Sequence, residues 1–122
     1  MYSQTATTHD RLEDILESIT LIQQWSDGRK RVDDYMMTPT GVMAFNAIVM
    51  RLQVIGEHVG KLLQDAHKPL TDYIHIPWQA IYGLRNIISH EYANIDEELI
   101  VSVVNEDLGP LQAAVEDMLK RY

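Results

Sequence analysis

Hydrophobic residues recur three and four positions apart along most of the chain, which is the pattern of amphipathic helices. The first such run, residues 8–26, follows Thr7-Thr8, which are candidate N-caps, and ends at Asp27-Gly28. The positions that form its single apolar stripe are Leu12, Ile15, Leu16, Ile19, Ile22 and Trp25. We interpret residues 29–37 as a connector with room for one short helix.

The second predicted helix carries the clearest period in the sequence. It begins at Thr38-Pro39, where a proline in the first turn costs no hydrogen bond. Its seam consists of Phe45, Ile48, Leu52, Ile55, Val59 and Leu62. A second apolar patch on the same helix consists of Val42, Met43, Val49, Met50 and Val54. A helix with two apolar faces is buried either by its own bundle or by a partner chain, and we favour self-association.

The remainder of the chain predicts three shorter helices. Prolines at both ends make residues 68–77 a loop. The third helix begins at Pro77 and ends at a break at residues 92–94. Asp96 caps a fourth helix, which Gly109-Pro110 is expected to end before a last short helix. The predicted buried positions of these helices are Trp78, Ile81, Leu84, Ile88, Leu99, Ile100, Val103, Val104, Leu111, Val115, Met118 and Leu119.

No segment shows the alternation of a β-strand, so the sequence predicts an all-α fold. We expect one domain over residues 1–122, an up-and-down bundle of four to five helices with short loops. The absence of cysteine excludes a disulfide framework, a zinc ribbon, an iron–sulfur cluster and a thiol nucleophile. No apolar run approaches the roughly 20 residues of a membrane span, and no signal peptide is recognisable. We therefore expect a cytoplasmic protein with no membrane partner.

Charge is spread unevenly along the chain. The net charge of −8 argues against a protein that holds duplex DNA through bulk charge. Residues 1–28 contain five acidic residues and one basic residue, and residues 91–122 contain eight and two. Residues 29–90 contain seven basic and five acidic residues, so the centre is mildly basic. That centre is compatible with a cleft that faces RNA.

Motifs for phosphate loops and metal sites are missing from the sequence. The six glycines are isolated, which excludes a P-loop and a dinucleotide-binding loop. No Glu-x-x-His pair of a di-iron bundle occurs, and His90-Glu91 lacks the second histidine of a zinc protease helix. We interpret His58 and His67 as satisfied surface or interface histidines, too distant to chelate one ion. We expect neither a metal nor a cofactor.

A cluster of polar residues lies at the end of the third predicted helix. It consists of Arg85, Asn86, Ser89, His90 and Tyr92. In a regular helix, residues five apart differ in direction by about 140° and lie roughly 7.5 Å apart along the axis. Arg85 and His90 therefore converge only if the helix loosens near His90, or if two chains each contribute a copy.

Arginine and histidine without a metal suit phosphodiester transfer in RNA. A neutral imidazole, with a reference pKa near 6.5, takes the proton of the 2′-hydroxyl, and a guanidinium donates to the charged phosphorane. The product is a 2′,3′-cyclic phosphate. On spacing alone we favour a structural interpretation, in which Arg85 pairs with an acid such as Glu57 and His90 caps the helix.

A longer stretch around the cluster reverses that preference. Residues 76–92, IPWQAIYGLRNIISHEY, resemble the HepT-like toxins of the HEPN superfamily, whose signature is R-x4-H-x-Y behind an I-P-W entry. Residues 51–57, RLQVIGE, are similar to the R-L-x-I-I-G-E segment of that family. Asn94-Ile95-Asp96 resembles the turn after the motif tyrosine. The resemblance covers about residues 8–120.

The resemblance implies an all-α homodimer in which Arg85 and His90 of both chains line one interface cleft. It implies a metal-independent ribonuclease that is the toxin of a toxin–antitoxin pair, with RNA as substrate and Asn86 helping to hold its phosphate. It implies as partner a nucleotidyltransferase antitoxin of the MntA type, which transfers AMP onto Tyr92. Two alternatives stay open: a non-catalytic HEPN subunit that docks a nucleotidyltransferase, and a helical dimer whose motif only caps a helix.

Overall fold

The computed structural model describes residues 7–122, and within that range the chain contains α-helices and no β-strand. The six α-helices are α1 Thr8–Ser26, α2 Val32–Met36, α3 Pro39–Leu63, α4 Trp78–Glu91, α5 Glu97–Ser102 and α6 Leu108–Leu119. A 3₁₀ turn, Tyr92–Asn94, follows α4, and a π-helical segment, Val103–Asp107, joins α5 to α6. The predicted all-α fold is confirmed.

Helix α3 lies at the centre of the array. It packs against α1, α2 and α4. Helix α6 packs against α1. The side chains of the predicted seam are all buried: Phe45, Ile48, Leu52, Ile55, Val59 and Leu62. Contacts of Arg11 with His58 and of Ser18 with Arg51 show that α1 and α3 run antiparallel. The apolar period therefore identifies the core correctly.

Helix boundaries follow the predicted capping residues. The Thr7 hydroxyl accepts a hydrogen bond from the backbone N–H of Asp10, whose carboxylate accepts one in return from the Thr7 N–H. Thr38 caps α3 and Asp96 caps α5, each accepting from a backbone N–H three residues on. Gly28, at the end of α1, has a φ of 79° in the left-handed region.

The prediction that Gly109-Pro110 ends a helix is wrong. The backbone stays helical from α5 into α6, and the π-helical segment Val103–Asp107 lies just before the proline. Pro110 has no N–H for the carbonyl of Glu106, and in a regular helix its ring would crowd that carbonyl. A π-helical turn, in which hydrogen bonds span five residues, is wider and accommodates the ring. The last two predicted helices are thus one continuous helical run.

The second apolar patch of α3 is only partly covered by neighbouring helices. Val49 is buried and Val54 is half-buried, whereas Met43 is 71% exposed and Met50 is 54% exposed. Val42 is also exposed. The chain therefore buries one side of this patch and leaves two methionines facing solvent.

Helices α3 and α4 cross at close range because α3 carries glycine where they meet. A Cβ atom on Gly56 would lie 3.2 Å from both the Cβ of Arg85 and the carbonyl oxygen of Ile81. A Cβ on Gly60 would lie 2.5 Å from the ring of Tyr82. These pairs occur in opposite order on the two helices, which are therefore antiparallel. The two glycines set the distance of Arg85 from α3.

We expect Gly56→Ala to lower the free energy of unfolding by about 1–3 kcal/mol, because the contacting atoms include the α4 backbone and cannot move aside alone. The control is Gly83→Ala, where an added Cβ meets no atom within 4 Å. That change should raise the free energy of unfolding by about 0.5–1 kcal/mol through helix propensity. Urea denaturation measures both, and equal stabilisation by the two changes would contradict the close crossing.

Candidate functional site

The predicted site residues lie on the outer side and at the C-terminal end of α4. Asn86 and His90 are exposed, and the Arg85 side chain is 43% exposed. Tyr92 is 56% exposed in the 3₁₀ turn that follows the helix. The residues that hold the inner side of α4 in the core are Trp78, Ile81, Leu84 and Ile88. Core packing thus fixes the helix and leaves its polar motif accessible.

Arg85 forms an ion pair with α3. Its Nε lies 3.5 Å from Oε1 of Glu57, so the pairing predicted by the structural interpretation is confirmed. Both side chains are exposed, and such a pair adds little to stability. Gln53 makes a second link between the same helices by donating from Nε2 to the Ser89 hydroxyl at 3.0 Å. Both contacts join α3 to α4, and the ion pair holds Arg85 against α3.

One chain does not bring Arg85 and His90 together. Helix α4 extends to Glu91, whose backbone has already left helical geometry (φ −122°, ψ 23°), and the 3₁₀ turn follows from Tyr92. The loosening that would join the two side chains within one chain is therefore absent as far as His90. Their directions differ by about 140°, as in any regular helix. That two copies of the chain bring the two groups to one phosphate stays a prediction.

Arg85 also borders a cleft that the sequence analysis did not find. The cleft has a volume of about 480 Å³. Its lining residues are Arg11, Glu57, His58, Gly60, Lys61, Gln64, Tyr82 and Arg85. It lies between α1, the C-terminal half of α3 and α4, on the side of Arg85 away from His90. The signal in the sequence was Arg11, the single basic residue of residues 1–28, but its position opposite α3 depends on folding.

His58 is held between two side chains of α1. Its Nε2 lies 3.3 Å from Oδ2 of Asp14, and the Arg11 Nη1 lies 3.4 Å from its Nδ1. A neutral ring fits this arrangement, with Nδ1 accepting from Arg11 and the Nε2 hydrogen donated to Asp14. Burial lowers the pKa of His58. The nearby positive charge of Arg11 lowers this pKa further, whereas the negative charge of Asp14 raises it, and the net shift is downward. The prediction of a satisfied histidine is confirmed.

His67, in the loop after α3, is also paired with a carboxylate. The Nδ1 of His67 lies 3.1 Å from Oδ1 of Asp65. Across residues 7–122, no three His, Asp or Glu side chains are grouped so that they could hold a metal ion. In the same range no helix has the length and hydrophobicity to cross a membrane.

Comparison with known proteins places this site in a family. The family model described as ribonuclease HepT-like matches residues 15–118, a range that contains the whole motif. A Methanocaldococcus jannaschii protein named "gamma-glutamylcyclotransferase and putative RNase" is 32% identical over 109 residues, which are 89% of this chain and 45% of that protein. This chain therefore spans less than half of that relative.

Two further relatives match over most of their own length. A second M. jannaschii protein, named a "putative RNase", is 30% identical over 105 residues, which are 86% of this chain and 90% of that protein. A Thermococcus cleftensis protein named "probable ribonuclease HepT" is 28% identical over 111 residues, which are 91% and 94% of the two chains. No solved structure matches this chain.

The environment of His58 predicts a pH dependence of stability. Because its pKa is lowered in the folded chain, the unfolded chain binds the proton more readily, and stability falls as the pH drops below about 6.5. His58→Gln keeps a donor near Asp14 but does not titrate, so this variant should lose less stability on acidification. Urea unfolding at about pH 5 and pH 7.5 measures the difference. The same loss in both proteins would contradict the assignment to His58.

Proposed function

The chain belongs to the HepT-like ribonuclease family, and from that premise we propose that it is an endoribonuclease that needs no metal ion and acts through Arg85 and His90. One observation carries the proposal: a single helix presents Arg85, partly exposed, and His90, exposed, within the range that the family model matches. Relatives named as RNases support the class of reaction.

In the proposed reaction, a neutral His90 takes the proton of the RNA 2′-hydroxyl, and that oxygen attacks the adjacent phosphorus. The bond from phosphorus to the 5′-oxygen breaks as the new bond forms, and the leaving oxygen takes a proton from an imidazolium. The products are a 2′,3′-cyclic phosphate and a 5′-hydroxyl. Arg85 donates to the phosphorane oxygens and stays charged throughout, and Asn86 adds an amide donor to the phosphate.

A second copy of the chain completes the proposed site. Arg85 and His90 lie five residues apart on α4 and so point in different directions, and between two chains a single phosphate would meet both types of group. Met43, Met50 and Glu57 are seven residues apart and so lie on one stripe of α3. The stripe connects the exposed methionines to the ion pair of Arg85. A homodimer packed through it would cover apolar surface that is otherwise in water.

We propose further that this ribonuclease is the toxin of a toxin–antitoxin pair, and that a nucleotidyltransferase of the MntA type inactivates it at Tyr92. The exposed phenol is two residues from His90. Its oxygen would attack the α-phosphorus of ATP, pyrophosphate would leave, and the phenol proton would pass to solvent. The AMP adduct adds a bulky negative group beside His90, which repels and obstructs the phosphate of RNA.

We expect purified protein to cleave RNA in excess EDTA and to leave 2′,3′-cyclic phosphate ends. Arg85→Ala and His90→Ala should each lower the cleavage rate by about 100-fold or more, since each removes a group that acts in the transition state. Both side chains are partly or fully exposed, so thermal unfolding should stay near that of the wild type. Lys120→Ala, which removes a cation beyond α6, is the control with unchanged cleavage.

Two results would count against this assignment. Cleavage at the wild-type rate by both variants would remove Arg85 and His90 from the reaction. No cleavage by wild-type protein, with Tyr92 shown by mass spectrometry to be unmodified, would favour the non-catalytic subunit that docks a nucleotidyltransferase.

If Tyr92 is the residue that accepts AMP, its substitution should protect the ribonuclease from inhibition. Incubation with ATP and the cognate nucleotidyltransferase should add AMP to Tyr92 of the wild type and abolish cleavage. Tyr92→Phe should stay unmodified and active under the same conditions. Tyr122→Phe removes another exposed tyrosine and should still be inhibited. Peptide mass spectrometry locates the adduct, and inhibition of Tyr92→Phe would refute Tyr92 as the acceptor.

A further inference from the structure

Apart from Arg85, the residues that line the cleft have no part in the proposed reaction, yet their side chains suit a nucleic-acid strand. We infer that this cleft binds the sugar-phosphate backbone of single-stranded RNA next to the scissile phosphate, with Arg11 and Lys61 contacting phosphates. The inference rests on the proposed function, and it adds two RNA-binding residues that lie away from the R-x4-H-x-Y motif.

Charge is the first support. The cleft brings together Arg11 of α1, Lys61 of α3 and Arg85 of α4, while Glu57 is its single carboxylate and is paired with Arg85. The chain as a whole has a net charge of −8. A locally positive cleft on an acidic protein directs a polyanion to that place, because the remaining surface repels it.

The fixed position of Arg11 is the second support. Its Nη1 contacts Nδ1 of His58, and the opposite ring nitrogen contacts Asp14. The imidazole thus lies between the carboxylate and the guanidinium, and it anchors Arg11 through a neutral acceptor that does not cancel its charge. An arginine held in place before binding loses less conformational freedom when it contacts a phosphate.

An aromatic ring is the third support. Tyr82 is half-buried, lines the cleft, and packs its ring against Gly60. Grooves that combine positive charge with aromatic rings are typical of proteins that bind single-stranded nucleic acid. Between Glu57 and Gln64 the cleft follows α3 for about 10 Å, at 1.5 Å per residue. The cleft begins at Arg85 and runs away from His90. An RNA strand bound in the cleft would therefore continue from the proposed site of cleavage.

The test measures binding of a short labelled single-stranded RNA by fluorescence anisotropy, on the whole 122-residue chain carrying His90→Ala so that the probe is not cut. Arg11→Gln/Lys61→Gln should weaken binding about tenfold or more. The slope of log affinity against log salt, from about 50 to 200 mM, should fall by about 1.4, because each phosphate contact of a single strand contributes about 0.7. The control, Lys30→Gln/Lys120→Gln, removes the same charge elsewhere and should bind within about twofold of the parent.

Two results would overturn the inference. Equal weakening of RNA binding in the two double variants would assign the effect to net charge, and a parent protein that binds no RNA would leave the cleft without a ligand. Lys61→Gln alone, at an exposed position, should show about half of the slope change, so a folding defect from Arg11→Gln does not obscure the result. Protein that binds RNA through the cleft but leaves it intact without the His90 substitution refutes the proposed reaction and keeps the cleft.

Discussion

The close crossing of α3 and α4 is the constraint on which the site depends. Gly56 lets the α4 backbone approach, so that the base of Arg85 rests against α3 and its guanidinium pairs with Glu57, one residue further along. One turn on, Gly60 receives the ring of Tyr82, which becomes a wall of the cleft. A side chain at position 56 would press on the α4 backbone and move Arg85 away from α3, whereas one at position 60 would displace the ring of Tyr82. The glycine of the RLQVIGE segment therefore has a packing role that directly positions the motif on the next helix.

The regularity of α4 has a functional consequence. Ile81, Leu84 and Ile88 pack the inner side of this helix, and Arg85 and His90 point in different directions from it, which is why we propose that the chemistry takes place between two chains. Such a site would be assembled only when the stripe that carries Met43 and Met50 is covered. Tyr92 is exposed just beyond the C-terminal end of α4, where a modifying enzyme could reach it. The proposed activity and its proposed control would thus both lie toward the C-terminal end of one helix.

Much of the fold could be predicted from the sequence, because its determinants are local. Capping at Thr7, Thr38 and Asp96 and the apolar seam of α3 follow from spacing and residue type, and the ion pair of Arg85 with Glu57 was foreseen as an alternative. The error at Gly109-Pro110 arose because the rule that proline ends helices does not anticipate a π-helical turn that absorbs it. The cleft was missed for a different reason. Arg11 and Lys61 are 50 positions apart in the chain, and only the antiparallel pairing of α1 and α3 brings them to one place.

The most direct test of the central claim is to mix two inactive proteins, Arg85→Ala and His90→Ala, and to measure RNA cleavage after subunit exchange. Differently tagged copies purified through both tags give the mixed dimer alone. If two chains form the site, the mixed dimer has one intact pairing of Arg85 from one copy with His90 from the other, and cleavage should return where neither parent has any. A mixed dimer that forms but stays as inactive as its parents would contradict the account, because it would mean that one chain must supply both residues.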